Sequence, residues 1–250
     1  CDGYMRFLDD AKTEREAVEA AVKIAENAGF TAYEPGRKYQ AGEKYYVNNR
    51  GKSAAFVVIG KKDVSNGVRI GAAHIDSPRL DLKPNPLYED IELAMLKTHY
   101  YGGIKKYQWT AIPLALHGVF AKKNGEKVKV KIGEDENDPC FVISDLLPHL
   151  AQEQCKRTLA DGIRGEELNI LIGSCPFKDD SESELVKLNI LNILYEKYGV
   201  TEEDFLSAEL EIVPAFKARD IGFDRSMIGA YGHDDRVCAY PSLMACIECG

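Results

Sequence analysis

The sequence predicts an α/β protein: a mixed sheet sandwiched by helices, with a β-rich domain inserted into it. Three observations lead there. Helical periodicity behind a capping signal opens the chain, short β-prone runs follow it, and helical patterning returns near residue 237 after a long strand-rich stretch. The expected division is a core made from residues 1–90 and 222–250, with residues 91–221 inserted between them. At 250 residues the chain has enough material for two unequal parts, each with a packed core.

The elements follow in order. Thr13-Glu-Arg-Glu16 has capping-box spacing, and Val18, Ala21, Val22 and Ala25 recur at helical intervals until Ala28-Gly29 ends the run. Residues 45–49, 54–59 and 68–73 are β-prone and separated by Asn, Gly and Lys-rich turns. The third leads into Gly71-Ala-Ala-His74-Ile75-Asp76-Ser77-Pro78, read as a buried strand stopped by Ser77-Pro78. Leu82-Lys83-Pro84-Asn85-Pro86-Leu87 then reads as a crossover between domains. Asn124-Gly125 between alternating runs is a hairpin signal. The acidic stretch from Glu134 to Pro139 reads as a solvated turn. Ser181-Glu-Ser-Glu184 caps a helix whose Leu185, Leu188, Leu191, Leu194, Tyr195 and Tyr198 form a packing stripe. Residues 208–213 alternate as a strand, a loop runs from Ala218 to Ile228, and a helix follows Asp235. The chain opens on Cys1 and stops inside an apolar helical run, so both ends read as cut.

Charge and composition exclude several functions. A net charge of -8 with a pI near 5.3 argues against a nucleic-acid partner, which needs a concentrated basic face. No apolar run is long enough to span a membrane and no secretory leader is visible, so a soluble, cytoplasmic protein is expected. The seven scattered cysteines favour buried free thiols in a reducing compartment, and Cys246-Ile-Glu-Cys249 reads as part of a helix before it reads as a redox or zinc motif.

Two places carry chemistry. On a strand, residues i and i+2 face the same way, so His74 and Asp76 share one side, and a carboxylate beside an imidazole can orient it for a metal. A hydrogen-bonded core pair is the competing reading of that motif. Gly232-His233-Asp234-Asp235-Arg236 sits at a loop-to-helix junction, where an Asp can ligate a metal or cap the helix. The two roles are compatible if Asp235 caps and Asp234 ligates.

The order G-A-A-H-I-D-S-P, L-K-P, Y-G-G, I-P-L-A-L-H and G-H-D-D-R before an apolar helix resembles the aspartyl aminopeptidase and vacuolar aminopeptidase I family of metallopeptidases. The resemblance covers nearly the whole chain. It implies a metal-dependent aminopeptidase that releases N-terminal residues, acidic ones among them, from peptides. It also implies two divalent ions, zinc foremost, with cobalt or manganese able to take the same ligands. His74 matches a metal-binding His, Asp76 the carboxylate that holds that His, and Asp234 the carboxylate bridging both metals. The family usually has Leu-Asp-Asn where this chain has His233-Asp234-Asp235, which leaves Asp235 as an alternative to Asp234. His117 matches a His that reaches into a neighbouring subunit's site to help hold substrate. The insert is implied to mediate dimerisation, with dimers assembling into a closed dodecamer. The family's general base, another carboxylate ligand and a final His are expected beyond Gly250. Rival readings are a deacetylase-like metal amidohydrolase on the same core and a catalytically silent assembly subunit.

Overall fold

The computed structural model describes residues 1–178 and 183–249. In chain order the elements begin with α1 (Asp2–Asp10), α2 (Glu14–Asn27), β1 (Thr31–Ala32), β2 (Lys44–Asn49) and β3 (Ser53–Val58). There follow β4 (Arg79–Asp90), β5 (Leu93–Tyr101), β6 (Leu114–Ala121), β7 (Lys127–Ile132), β8 (Ile170–Gly173), α3 (Leu185–Tyr198) and β9 (Glu209–Pro214). The chain closes with β10 (Arg219–Ile221), β11 (Met227–Gly229) and α4 (His233–Glu248). It divides into two compact units: residues 1–77 with 217–250, and residues 78–216. The result is a mixed α/β architecture.

In the first unit, α2 starts where its capping box dictates. The Thr13 hydroxyl accepts from the Glu16 amide and the Glu16 carboxylate accepts from the Thr13 amide, so two helix-end donors find partners locally. Phe7, Ala11 and Ala17 form one buried cluster, joined by Ile75 and Tyr240. Ala25, Phe30 and Leu243 form another against Tyr46, Phe56 and Val58 of the β1-β2-β3 sheet. Each fully buried aromatic or Leu side chain here stabilises by roughly 1.5–3 kcal/mol. These clusters fasten the start of the chain to α4, and that junction carries the site.

The expected buried strand at 68–73 is absent from the structure. Residues 67–78 have no regular secondary structure, and Val68 and Ile70 are 64% and 82% exposed. β-prone residues make a strand only when a neighbour takes their backbone N–H and C=O groups, and among the described residues no strand pairs with this segment. The segment expected to be a loop, Ala218–Ile228, instead holds the antiparallel pair β10–β11.

The second unit is a six-stranded antiparallel sheet in the order β7-β6-β9-β4-β5-β8. The Asn124-Gly125 hairpin joins β6 to β7, with Gly125 at φ +85°. Pro84 and Pro86, read as a crossover, lie inside β4, where the pairing with β5 shifts register between Leu82 and Leu87. A proline cannot donate to a ladder, so an irregularity is where a strand accommodates it. A polar row crosses the sheet on one face through directly paired residues: Lys131, His117, Glu211, Asp81 and His99. Arg79 ties its centre together, with Nε 2.8 Å from Asp81 and 3.2 Å from Glu211. The capping reading for Ser181 lies outside the described residues. α3 begins at Leu185, and the Glu89 carboxylate of β4 accepts from the Lys187 amide at 2.9 Å. The stripe read on α3 is not a buried face: Leu185, Leu188, Leu191, Leu194 and Tyr198 are only half-buried and Tyr195 is 61% exposed, whereas the buried residue of the helix is Val186, outside the stripe. The acidic turn is also not wholly solvated, since Glu134 is nearly buried against His117 and Lys131.

Candidate metal centre

The first unit brings His74 together with the Asp pair, 160 residues later in the chain. His74 Nε2 lies 3.3 Å from Asp234 Oδ1 and 3.8 Å from Asp235 Oδ2. The other ring nitrogen, Nδ1, lies 3.1 Å from the Asp76 backbone oxygen and 3.3 Å from Asp76 Oδ1. A ring whose Nδ1–H is held by acceptors keeps its Nε2 lone pair free to bind a cation. One ligand atom from each of His74, Asp234 and Asp235 falls within 4.8 Å of the others. A mixed nitrogen and carboxylate-oxygen set of this kind suits zinc and its first-row neighbours. The group is open to solvent in this chain, with the His74 side chain 54% and the Asp234 side chain 80% exposed.

Local chain geometry explains how the Asp pair arrives there. Gly232 adopts φ +89° and turns the chain into α4. Asp234 and Asp235 have non-helical backbone angles, so regular helix begins only after them. The preceding His233 is held on both sides: its Nδ1 lies 3.0 Å from the Tyr4 hydroxyl and its Nε2 3.1 Å from the Ile228 carbonyl. Since the carbonyl can only accept, Nε2 carries the proton and Nδ1 accepts from Tyr4. Burial raises the Tyr4 phenol above its ordinary pKa, with the Arg236 guanidinium opposing it. A hydrogen bond to the Asp235 carboxylate raises the Cys238 thiol, and burial adds to it.

His117 does not join this group. It lies on β6 of the second unit, fully buried, with Nε2 3.7 Å from Glu134 Oε1. The expectation of buried thiols is also corrected. All seven cysteines are free, but six are exposed and only Cys246 is half-buried, because most of them sit on loops or on outward helix positions. Cys246 points its thiol at the Phe56 carbonyl, 3.6 Å away, and burial raises its pKa.

The family model described as "Aminopeptidase I zinc metalloprotease (M18)" matches residues 7–249. The chain belongs to the M18 aminopeptidase family. A probable M18 family aminopeptidase 1 of Clostridium acetobutylicum is 57% identical over 251 residues, covering 99% of this chain and 54% of that protein. The crystal structure of an M18 aminopeptidase from Thermotoga maritima superposes with a TM-score of 0.93 at 48% identity, covering 98% of this chain and 54% of that one. The mApe1 dodecamer of S. cerevisiae matches with a TM-score of 0.70 at 19% identity, covering 98% of this chain and 55% of that one, a likeness that shows the fold alone. The chain thus spans about half the length of the curated M18 relatives it matches.

Two residues of this M18 chain escaped the sequence reading although they flank its motifs. Ser77 follows Asp76, and Arg236 follows Asp235. Both are buried and in contact with each other. The only local signal was a charged residue at the start of an apolar helix.

Proposed function

We propose that this chain is the zinc-holding part of a metal-dependent aminopeptidase, which releases N-terminal residues from peptides. The observation that carries the reading is the 3.3 Å approach of His74 Nε2 to Asp234 Oδ1, in a ring whose other nitrogen faces Asp76. His74 would hold one of two divalent ions through Nε2, and Asp234 would bridge the pair, with Asp235 beside it as the alternative carboxylate. When bound, such ions polarise the scissile carbonyl and lower the pKa of a water. Asp76 contributes by accepting a hydrogen bond from the Nδ1–H of His74, which fixes the tautomer and the ring plane and strengthens Nε2 as a metal ligand. The exposed carboxylate of Asp234 leaves one side of the group accessible to a peptide end.

The same proposal extends to assembly and setting. The second unit carries exposed apolar side chains, among them Leu146, Leu147, Leu150 and Leu159, together with Tyr195 on α3. Such surface supports a role as the dimerisation domain of a homo-oligomer, dodecameric in its full form. His117 enters the proposal with a condition. Its ring is fully buried, so holding a substrate for a neighbouring copy requires its cover to open. Seven free thiols support a reducing, cytoplasmic setting.

The test is Asp234→Ala in the full-length enzyme. Zinc-dependent hydrolysis of aminoacyl substrates with a free amine should fall by about 10²- to 10³-fold, in line with loss of a stabilising group at the reacting centre. Activity equal to the parent's would overturn the assignment.

A further inference from the structure

The backbone beside the metal-ligand group is held by a buried polar clamp that ties the two motifs to each other. Arg236 is fully buried, and its Nη1 donates to the Ser77 hydroxyl at 2.6 Å while its Nη2 donates to the Lys12 carbonyl at 3.1 Å. The Ser77 hydroxyl, 3% exposed as a residue, donates in turn to the Asp234 carbonyl at 2.6 Å. One hydroxyl therefore uses its proton on Asp234 and a lone pair on Arg236, which leaves it a single orientation. Ser77 stands three residues after His74, and Asp234 is the carboxylate facing that imidazole. The clamp thus fixes the two segments that supply the ligand atoms, although neither of its side chains offers an atom to the group itself.

Segment 67–78 gains no support from a sheet. The distance between His74 and Asp234 must therefore be set by contacts such as this one. We infer that Ser77 and Arg236 are positioning residues that set the geometry of the His74, Asp234 and Asp235 ligands, and so the affinity of the site for zinc. The inference rests on the zinc-site reading above and adds to it the residues that build the site. A charge-assisted pair of hydrogen bonds in a buried setting holds geometry more tightly than the exposed side chains of the ligands can do alone.

The test measures zinc affinity of the full-length enzyme by competition with a chromogenic zinc indicator, well below the melting temperature of every variant. Ser77→Ala removes both hydrogen bonds while leaving all three ligand side chains in place, and should weaken zinc binding about 10- to 100-fold, the range seen when a partner of a ligand is lost. Arg236→Lys keeps the charge but cannot reach Ser77 and the Lys12 carbonyl together, and should weaken it as well. Thr98→Val is the control. It deletes another buried hydroxyl, bonded to the Leu168 carbonyl at 2.5 Å in the second unit, and should leave zinc affinity unchanged. Parental affinity in Ser77→Ala, or an equal loss in Thr98→Val, would overturn the inference. If the full-length parent enzyme itself binds no zinc, the underlying zinc-site reading fails instead, so the two failures are told apart.

Discussion

Gly232 shows what one missing Cβ atom secures. Its φ of +89° is a left-handed conformation that costs an L side chain roughly 1–2 kcal/mol. A Cβ built there would lie 2.1 Å from Arg236 Nη1, the nitrogen that holds Ser77. Gly29 has nearly the same φ, +87°, with nothing within 4 Å of its would-be Cβ. Comparing alanine at each position isolates the clash from the backbone cost. In urea unfolding, Gly29→Ala should lose about 1 kcal/mol, and Gly232→Ala should lose at least about 1 kcal/mol more through overpacking against the guanidinium. Equal losses would mean that Arg236 moves aside freely and does not hold its place. The glycine itself was legible in the sequence as part of G-H-D-D-R, but its reason was not, because the atom it makes room for belongs to a side chain four residues on. Ser77 was hidden in the same way: its two partners lie 157 and 159 residues along the chain.

At the level of elements, what could be read was whatever is decided locally. The capping box of α2 and the Asn-Gly turn between β6 and β7 are complete within a few residues, and both formed as the sequence implied. Strand 68–73 was misread because β-propensity describes a surface that fits a sheet, whereas the sheet itself comes from elsewhere in the chain. β4 was misread for the opposite reason, since prolines suggest a break and the register shift that tolerates them is set by β5. α3 is likewise finished from outside. The amide of its third residue, Lys187, bonds to Glu89 on β4, and Lys187 Nζ reaches Glu202 at 2.9 Å. The hydrogen bond to Glu202 raises the Lys187 pKa above its ordinary value, against a smaller opposing effect of burial. A folded pKa above the unfolded one means the pair stabilises fully below about pH 10.4, the unfolded value, and stops doing so as pH rises through the folded value. Lys187→Met should therefore cost about 0.5–1 kcal/mol at pH 7, a typical value for a partly solvated pair, and the gap to the parent should close as pH rises through the raised pKa of the folded lysine. A gap that persists unchanged in alkali would assign the loss to packing of the lysine stem.

On the scale of the whole chain, the ligand set belongs entirely to one of the two units, with His74 in its first segment and Asp234 and Asp235 in its second. The sequence announced both motifs, and the family pattern paired them. What it did not reveal is that the pairing is made by the unit's own core, in which Ile75 and Tyr240, one residue or a few from the ligands, pack on the same cluster of Phe7, Ala11 and Ala17. A ligand that binds only the folded form stabilises what it binds, by about 2.7 kcal/mol at a hundredfold excess over its dissociation constant. Zinc should accordingly slow amide hydrogen exchange in residues 1–77 and 217–249, most strongly around 71–77 and 231–238. Local openings within residues 78–216 expose none of the ligands, so exchange there should be unaffected by zinc wherever it proceeds without global unfolding. Mass spectrometry of peptides from chain exchanged with zinc and with chelator reads both halves of this expectation at once. Protection appearing chiefly in the β4 to β9 sheet would place the ion on other residues, and the polar row through His117, Glu211, Asp81 and His99 would then be the first place to look.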